Sequence, residues 1–229
     1  MKKERLFLWV IAVLIIGGTV FALAMLPKKE TGPNDQNNQI VELPAVSDTD
    51  WMAGNKESSV TLIEYGDFQC PACAAYHPLV KKMLEENGQE FKFVYRHFPL
   101  RQHAQAKDAA YAVEAAGRQG KFWEMYDIVY TRQNDWAGKT NAKDIFLGYA
   151  NTLGLNSGQF VLDRGSSEIK DRVEKDTADG LKAGINSTPS FFLNDKKIQP
   201  RNYDEFVNFI KQARVTSSPS PVATPTVIP

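Results

Sequence analysis

The sequence predicts an α/β domain in which a block of helices separates a βαβ unit from a closing ββα unit, with a single apolar helix ahead of the domain. Three observations support that order. Two short β-branched and aromatic runs flank an amphipathic helix, a long stretch free of strand signals follows, and a hairpin signal with one more amphipathic helix ends the domain.

The apolar helix comes first. Leu6 to Leu26 contains no charged residue, and as a helix it would span roughly 30 Å, the thickness of a hydrocarbon core. Residues 6–26 read as an uncleaved transmembrane anchor. A cleaved secretory signal competes, because Ala22-Leu23-Ala24 resembles a cleavage site, although the run is longer than an ordinary signal core. A buried core helix is the remaining alternative. Lys2, Lys3 and Arg5 outweigh Glu4 ahead of the segment, whereas Lys28 and Lys29 are followed by Glu30. The positive-inside bias therefore leaves residues 1–5 in the cytoplasm and the rest of the chain beyond the membrane.

Residues 27–47 read as an extracytoplasmic linker, since Pro27 to Gln39 is polar, rich in asparagine and glutamine, and lacks an apolar period. Residues 215–229 alternate proline, serine and threonine and are expected to be a disordered tail. The folded domain is left as residues 48–214.

Inside it, Ser59 to Tyr65 and Phe91 to His97 read as strands. Between them Tyr76, Leu79, Val80, Met83 and Leu84 recur at helical spacing, and Asn87-Gly88 closes that helix. Strand, helix, strand predicts a parallel pair with a right-handed crossover. The helical insertion occupies about residues 101–184. Ala104 to Gly117 is alanine-rich, Phe122, Met125, Tyr126 and Val129 share a face, Phe146, Tyr149, Ala150 and Leu153 share another, and Ser167 to Lys182 reads as a charged helix. Ser190 to Asn194 and Lys197-Ile198 then flank the hairpin signal Asn194-Asp195, and Tyr203, Phe206, Val207 and Ile210 mark the last helix.

Composition excludes some functions. Lysine plus arginine and aspartate plus glutamate each total 27 among 229 residues, so no basic field recruits nucleic acid. The chain has 2 cysteines, Cys70 and Cys73 in YGDFQCPAC, too few for a disulfide-stapled scaffold. Placed outside the cytoplasm, such a pair can persist as a disulfide.

Cys70 follows a strand and opens a helix, with Pro71 at the first helical position, where its missing N–H is harmless. Free backbone N–H groups and the positive end of the helix favour the thiolate, lowering the thiol by about one pKa unit. Cys73, one turn on, feels less of that field and is the natural resolving thiol. Such a pair attacks a disulfide, passes through a mixed disulfide and releases it intramolecularly. A metal site and an inert bridge are the other readings. Structural zinc usually takes four ligands and no further cysteine exists, but His77 leaves a Cys/Cys/His site open. Pro78 sits inside the helix, where it deletes the bond to Ala74 and predicts a kink serving packing on the sheet. Thr188-Pro189 precedes a strand, and its bond has either isomer open to it.

YGDFQCPAC, the proline five residues after Cys73, RHFPL at Arg96 to Leu100, QGKFWEMYD at Gln119 to Asp127, and STPSFFLN at Ser187 to Asn194 occur in that order. The ordered set resembles the DsbA-like branch of the thioredoxin-fold thiol-disulfide oxidoreductases, in particular its membrane-anchored members, over about residues 48–213. The resemblance implies a thioredoxin fold with a helical insertion, Cys70 as nucleophile and Cys73 as resolving thiol. It implies further that Pro189, preceded by Thr188, is a cis proline beside the pair that binds extended substrate backbone. Glu64 takes the place of a buried acid that relays protons to Cys73; a solvated glutamate at a strand end is the alternative. Asp67 is assigned to the turn, and His97 and His103 to the surface, with lining of the active face as the alternative.

No cofactor is implied. The expected partners are folding secreted polypeptides and a quinone-linked membrane reoxidant, and with no dimerisation domain visible a monomer is expected. One departure matters: strongly oxidising relatives carry histidine between the cysteines, where this chain has Pro71-Ala72, and threonine before the proline also occurs in isomerases. The leading expectation is an anchored enzyme that introduces disulfides into secreted or surface proteins through Cys70 and Cys73. Its alternatives are an isomerase or reductase, and a Cys/His metal-delivery module.

Overall fold

The computed structural model describes residues 42–217. The expected anchor, most of the linker and all but the start of the expected tail lie outside the described residues. No helix among the described residues is long and apolar enough to cross a membrane.

The domain is built on a mixed five-stranded sheet of order β1-β3-β2-β4-β5. β2 (Thr61–Gly66) and β3 (Lys92–His97) are parallel and joined by helix α1 (Pro71–Asn87). β1 (Trp51–Gly54) pairs antiparallel with β3, while β4 (Ser190–Leu193) pairs antiparallel with β2 on one side and β5 (Lys196–Ile198) on the other. Asn194 (φ 46°) and Asp195 (φ 65°) turn the β4–β5 hairpin in the left-handed region, which a two-residue loop needs to match strand twist.

Alternation along the strands feeds two cores. Leu62, Phe93, Tyr95, Phe191 and Leu193 face the larger one, and Ile63, Tyr65, Val94 and Phe192 face the smaller. Because both faces are covered, β2 and β3 are buried from their second residue onward, and their polar members Glu64, Arg96 and His97 are buried with the rest.

The insertion comprises α2 (Ala106–Arg118), α3 (Phe122–Thr131), α4 (Gln133–Trp136), α5 (Ala142–Thr152), α6 (Ser157–Gly165) and α7 (Ser167–Lys182), and α8 (Tyr203–Ser217) closes the domain. Helix α2 buries Ala109, Ala110, Ala112, Ala115 and Ala116; small side chains let its neighbours come close on several sides. Helix α7 reaches the sheet through Gly180, where an added Cβ would stand 2.8 Å from the Phe98 ring and 3.1 Å from Tyr65. Only glycine permits that approach without a shift of either ring.

Three elements escape the sequence patterns. β1 is a four-residue edge strand held by Trp51, which stacks on Phe122 at 4.1 Å and donates to Glu114 at 2.7 Å. Helix α4 is a single turn. Helix α6 is capped by Asn156, whose side chain accepts from the Gln159 N–H, but its exposed Val161 and Leu162 blur the apolar period. Helix α8 also runs to Ser217, into the segment expected to be tail.

The expectation that Pro78 serves packing on the sheet needs correction. Helix α1 runs through Pro78, which is exposed and does not pack on the sheet.

Candidate active site

Helix α1 begins at the sulfur of interest. Cys70 is its N-cap residue, with extended backbone, and Pro71 follows at the first turn. The approach loop is held from below by Asp67, which is 1% exposed. Its carboxylate accepts the Gln69 N–H at 2.7 Å and the Leu100 N–H at 2.9 Å, and lies 2.6 Å from His103 Nδ1. The insertion grips the same loop. Gln133 on α4 donates its side-chain amide to the Phe68 and Cys70 carbonyls at 2.7 and 3.1 Å, and Gln69 and Gln105 bond side chain to side chain at 2.9 Å.

Across the cleft the Thr188–Pro189 bond is cis. The Thr188 carbonyl accepts from the protonated Cys70 thiol at 3.4 Å, and once that thiol is ionised the buried Thr188 hydroxyl can turn to donate to the sulfur.

The two thiols are held in opposite states. Cys70 is lowered from 9.0 to about 5, chiefly because the Cys73 S–H donates to its thiolate, with smaller help from the Thr188 side chain and the Cys73 and Ala72 N–H groups against the cost of burial. Cys73 is 1% exposed, and burial, then donation to Cys70 and the neighbouring Glu64, push its thiol well up. The helix-start N–H groups come late among the causes of this contrast; the Cys73 S–H leads for Cys70 and burial leads for Cys73.

Glu64 lies on β2, 2% exposed, opposite Tyr95 on β3 and Phe191 on β4. Burial, and secondarily the Cys70 charge, raise its carboxyl to about 8, and its Oε2 has no partner among the described residues. Strand alternation placed it on the inward face, so it is not the solvated glutamate of the alternative reading.

The histidines are placed differently from expectation. His97 is 1% exposed, with Nε2 2.8 Å from Glu114, which also accepts from Trp51 and Arg172. His103 is partly buried against Asp67. His97 is not a surface residue, whereas His103 keeps part of its side chain exposed; a buried carboxylate from another element receives each ring. His77 follows Cys73 by one turn but commits Nε2 to Asp127 at 3.1 Å, and burial lowers it below its ordinary value. Among the described residues no group of three His, Cys, Asp or Glu side chains is arranged to hold a metal ion, which leaves the Cys/Cys/His site unassembled.

At neutral pH a thiolate near 5 is almost fully ionised, whereas its partner stays protonated. Cys70 is therefore the sulfur held in the nucleophilic form, and Cys73 the one held as thiol. On a sheet of this order, interrupted by a helical insertion, such a pair is arranged for thiol–disulfide exchange. A family model described as thioredoxin matches residues 46–212, and the chain belongs to that family.

Solved structures agree. A thioredoxin-like oxidoreductase from Silicibacter pomeroyi DSS-3 aligns with TM-score 0.63 and 25% identity over 74% of this chain and 94% of that one. Oxidised BdbD from Bacillus subtilis aligns with TM-score 0.67 and 22% identity over 78% and 100%. The alpha-DsbA1 of Wolbachia pipientis gives 0.67 and 21% over 76% and 94%; these last two likenesses establish shared fold. Among curated relatives, a protein named Na(+)/H(+) antiporter NhaA from Herminiimonas arsenicoxydans is 33% identical over 160 residues, 70% of this chain and 25% of its own. One named NhaA 1 from Salinispora arenicola is 37% identical over 156 residues, 68% and 23%. The chain spans about a quarter of the length of these relatives, and the antiporter name describes proteins that extend far beyond the matched segment.

Proposed function

We propose that the chain is an oxidase of secreted and surface polypeptides, anchored by residues 6–26 with its catalytic domain outside the cytoplasm. In this reading Cys70–Cys73 as a disulfide accepts two electrons from a substrate dithiol, and a quinone-linked membrane partner removes them. The observation that carries it is the Cys70 thiol held near 5. A dithiol whose reduced form is stabilised in this way gives up its disulfide readily. The stabilisation persists with Pro71-Ala72 between the cysteines, because Cys73, not an intervening histidine, is the leading donor.

The cleft supports a polypeptide substrate. Cys70, 7% exposed, is the more accessible thiol, and a groove of about 540 Å³ beside Pro189 is lined by Tyr76, Ser187, Ser190, Phe191 and Lys197. An extended chain lying there presents its cysteine to Cys70, with Thr188 and Pro189 against its backbone. Electrons move between sulfurs alone, so the reaction needs no cofactor, and one copy of the chain carries the whole site. Glu64 serves as the proton donor and acceptor for Cys73.

Equilibration with a glutathione buffer tests the direction. An oxidising potential supports the reading, and a potential near that of thioredoxin makes the protein a reductase. Cys73→Ala should accumulate mixed disulfides through Cys70; their absence would reverse the assigned order of attack.

A further inference from the structure

Cys73 and Glu64 are 1% and 2% exposed, and a polypeptide docked over Cys70 and Pro189 covers their nearest side. Exchange nevertheless moves a proton to Cys73. When a substrate thiolate attacks Cys70 Sγ of the disulfide form, the Cys70–Cys73 bond breaks and its electron pair stays on Cys73 Sγ. Burial makes that sulfur take up a proton. A second substrate thiolate then attacks the substrate sulfur of the mixed disulfide and expels Cys70 as thiolate. Two electrons have reached the pair and one proton has reached Cys73; the reverse reaction sends the same proton outward.

Behind Cys73 the polar groups form a column that leads away from the substrate. Glu64 stands opposite Tyr95 on the adjoining strand. The Tyr95 and Tyr130 hydroxyls are 2.9 Å apart. The rings of Tyr130 and Tyr126 lie against the His77 ring, with centroids 5.3 and 5.4 Å away. His77 in turn meets Asp127, which is 40% exposed. His77, Tyr126, Asp127, Lys81, Glu85 and Glu124 border an open groove of about 410 Å³ between α1 and α3, which shares no lining residue with the groove at Pro189.

Ring packing alone does not account for this chemistry. Phenylalanine would fill the same space without burying three phenol oxygens, and burying a hydroxyl without a partner is costly. Tyr126 Oη and Glu64 Oε2 are both buried with no partner among the described residues, so the Tyr95–Tyr130 bond is the link already formed, and passage through Tyr126 requires its hydroxyl to turn or a water to bridge. A phenol O–H both donates and accepts, as does a neutral imidazole. Burial keeps Tyr95, Tyr126 and Tyr130 protonated. It also lowers His77 against the opposing charge of Asp127, with Lys81 acting in the same direction as burial. At neutral pH every member of the column is therefore in a form that can pass a proton on.

We propose that Tyr95, Tyr130, Tyr126 and His77 relay protons between the Glu64–Cys73 pair and the groove between α1 and α3, so that the resolving thiol is protonated while substrate covers Cys70. The relay rests on exchange through the pair and not on its direction. A reducing potential would overturn the oxidase reading and leave the relay standing.

The test uses the full chain in its oxidised form, reduced by a dithiol peptide and followed by stopped-flow tryptophan fluorescence in H₂O and D₂O from about pH 5 to about pH 9. Tyr126→Phe and Tyr130→Phe keep the rings and each remove one oxygen, and His77→Ala opens space for added imidazole. Each variant should slow the exchange about tenfold and enlarge the solvent isotope effect, leave the Cys70 alkylation midpoint in place, and in the histidine variant regain rate with imidazole. Rates within about twofold of the parent, or losses equal in both solvents and indifferent to imidazole, would overturn the relay. If His77→Ala does not fold, the two phenylalanine variants decide alone.

Discussion

The reduced and oxidised forms should respond to pH in opposite order of stability, with pH itself as the perturbation. In the reduced form Cys70 titrates at about 5 when folded and at 9.0 as an ordinary thiol. A depressed acid contributes stability that is complete above the unfolded value and is lost as pH falls through the folded one. Each pH unit between those values changes the reduced form by about 1.4 kcal/mol, so about 2 to 3 kcal/mol is present at pH 7 and almost none at pH 5. Glu64, raised to about 8 mainly by burial, acts with the opposite sign, but it does so in both redox forms and largely cancels in their difference. The disulfide contributes about 2 kcal/mol to the oxidised form by closing a four-residue loop in the unfolded chain. The oxidised form should therefore be the more stable near pH 5, and the reduced form should draw level or pass it by about pH 7. Urea denaturation of both forms across that range measures the gap. A gap that does not change with pH would refute the assignment of a stabilised Cys70 thiolate.

Other outcomes follow from the same geometry. Cys73→Ala removes the leading donor to the Cys70 thiolate, so the alkylation midpoint of Cys70 should rise from about 5 toward the ordinary thiol range. Gln133→Ala frees the Phe68 and Cys70 carbonyls and should cost about 1 to 3 kcal/mol in urea denaturation. Glu64 is neutral below about 8 and charged above it, so protonation of Cys73, and with it reduction of the disulfide, should slow as pH rises through about 8. In Glu64→Gln that step in the rate profile should vanish and the rate below it should fall.

Local patterns made much of this fold readable. The β-branched runs, the helical spacing after Cys73 and the boundaries of Ser167–Lys182 all sit in contiguous segments whose period reports their burial. The cysteine pair was legible because a strand, a proline and a helix start surround it. What escaped depends on partners distant in the chain. β1 owes its existence to pairing with β3 and to a tryptophan that meets Glu114 across 63 residues. Gln133 reaches the Cys70 loop across 63 residues, from a helix one turn long. His97 looked like a surface residue because nothing near it in sequence announces that Glu114 and Asp176 receive its ring and its backbone N–H. The strength of thiolate stabilisation was missed for a related reason. A helix start is visible in sequence, whereas the orientation of the Cys73 S–H toward Cys70 belongs to the folded site.

The direction of electron flow is the central claim, and the redox potential measures it most directly. A thiol near 5 falls between the values of about 3.5 for a strongly oxidising pair and about 7 for thioredoxin, whose potentials are about −120 mV and about −270 mV. Cys70–Cys73 should therefore lie between those two potentials. Equilibration of the full chain with glutathione should return a potential in that region, well above the reductase end. A value at about −270 mV would contradict the oxidase account outright.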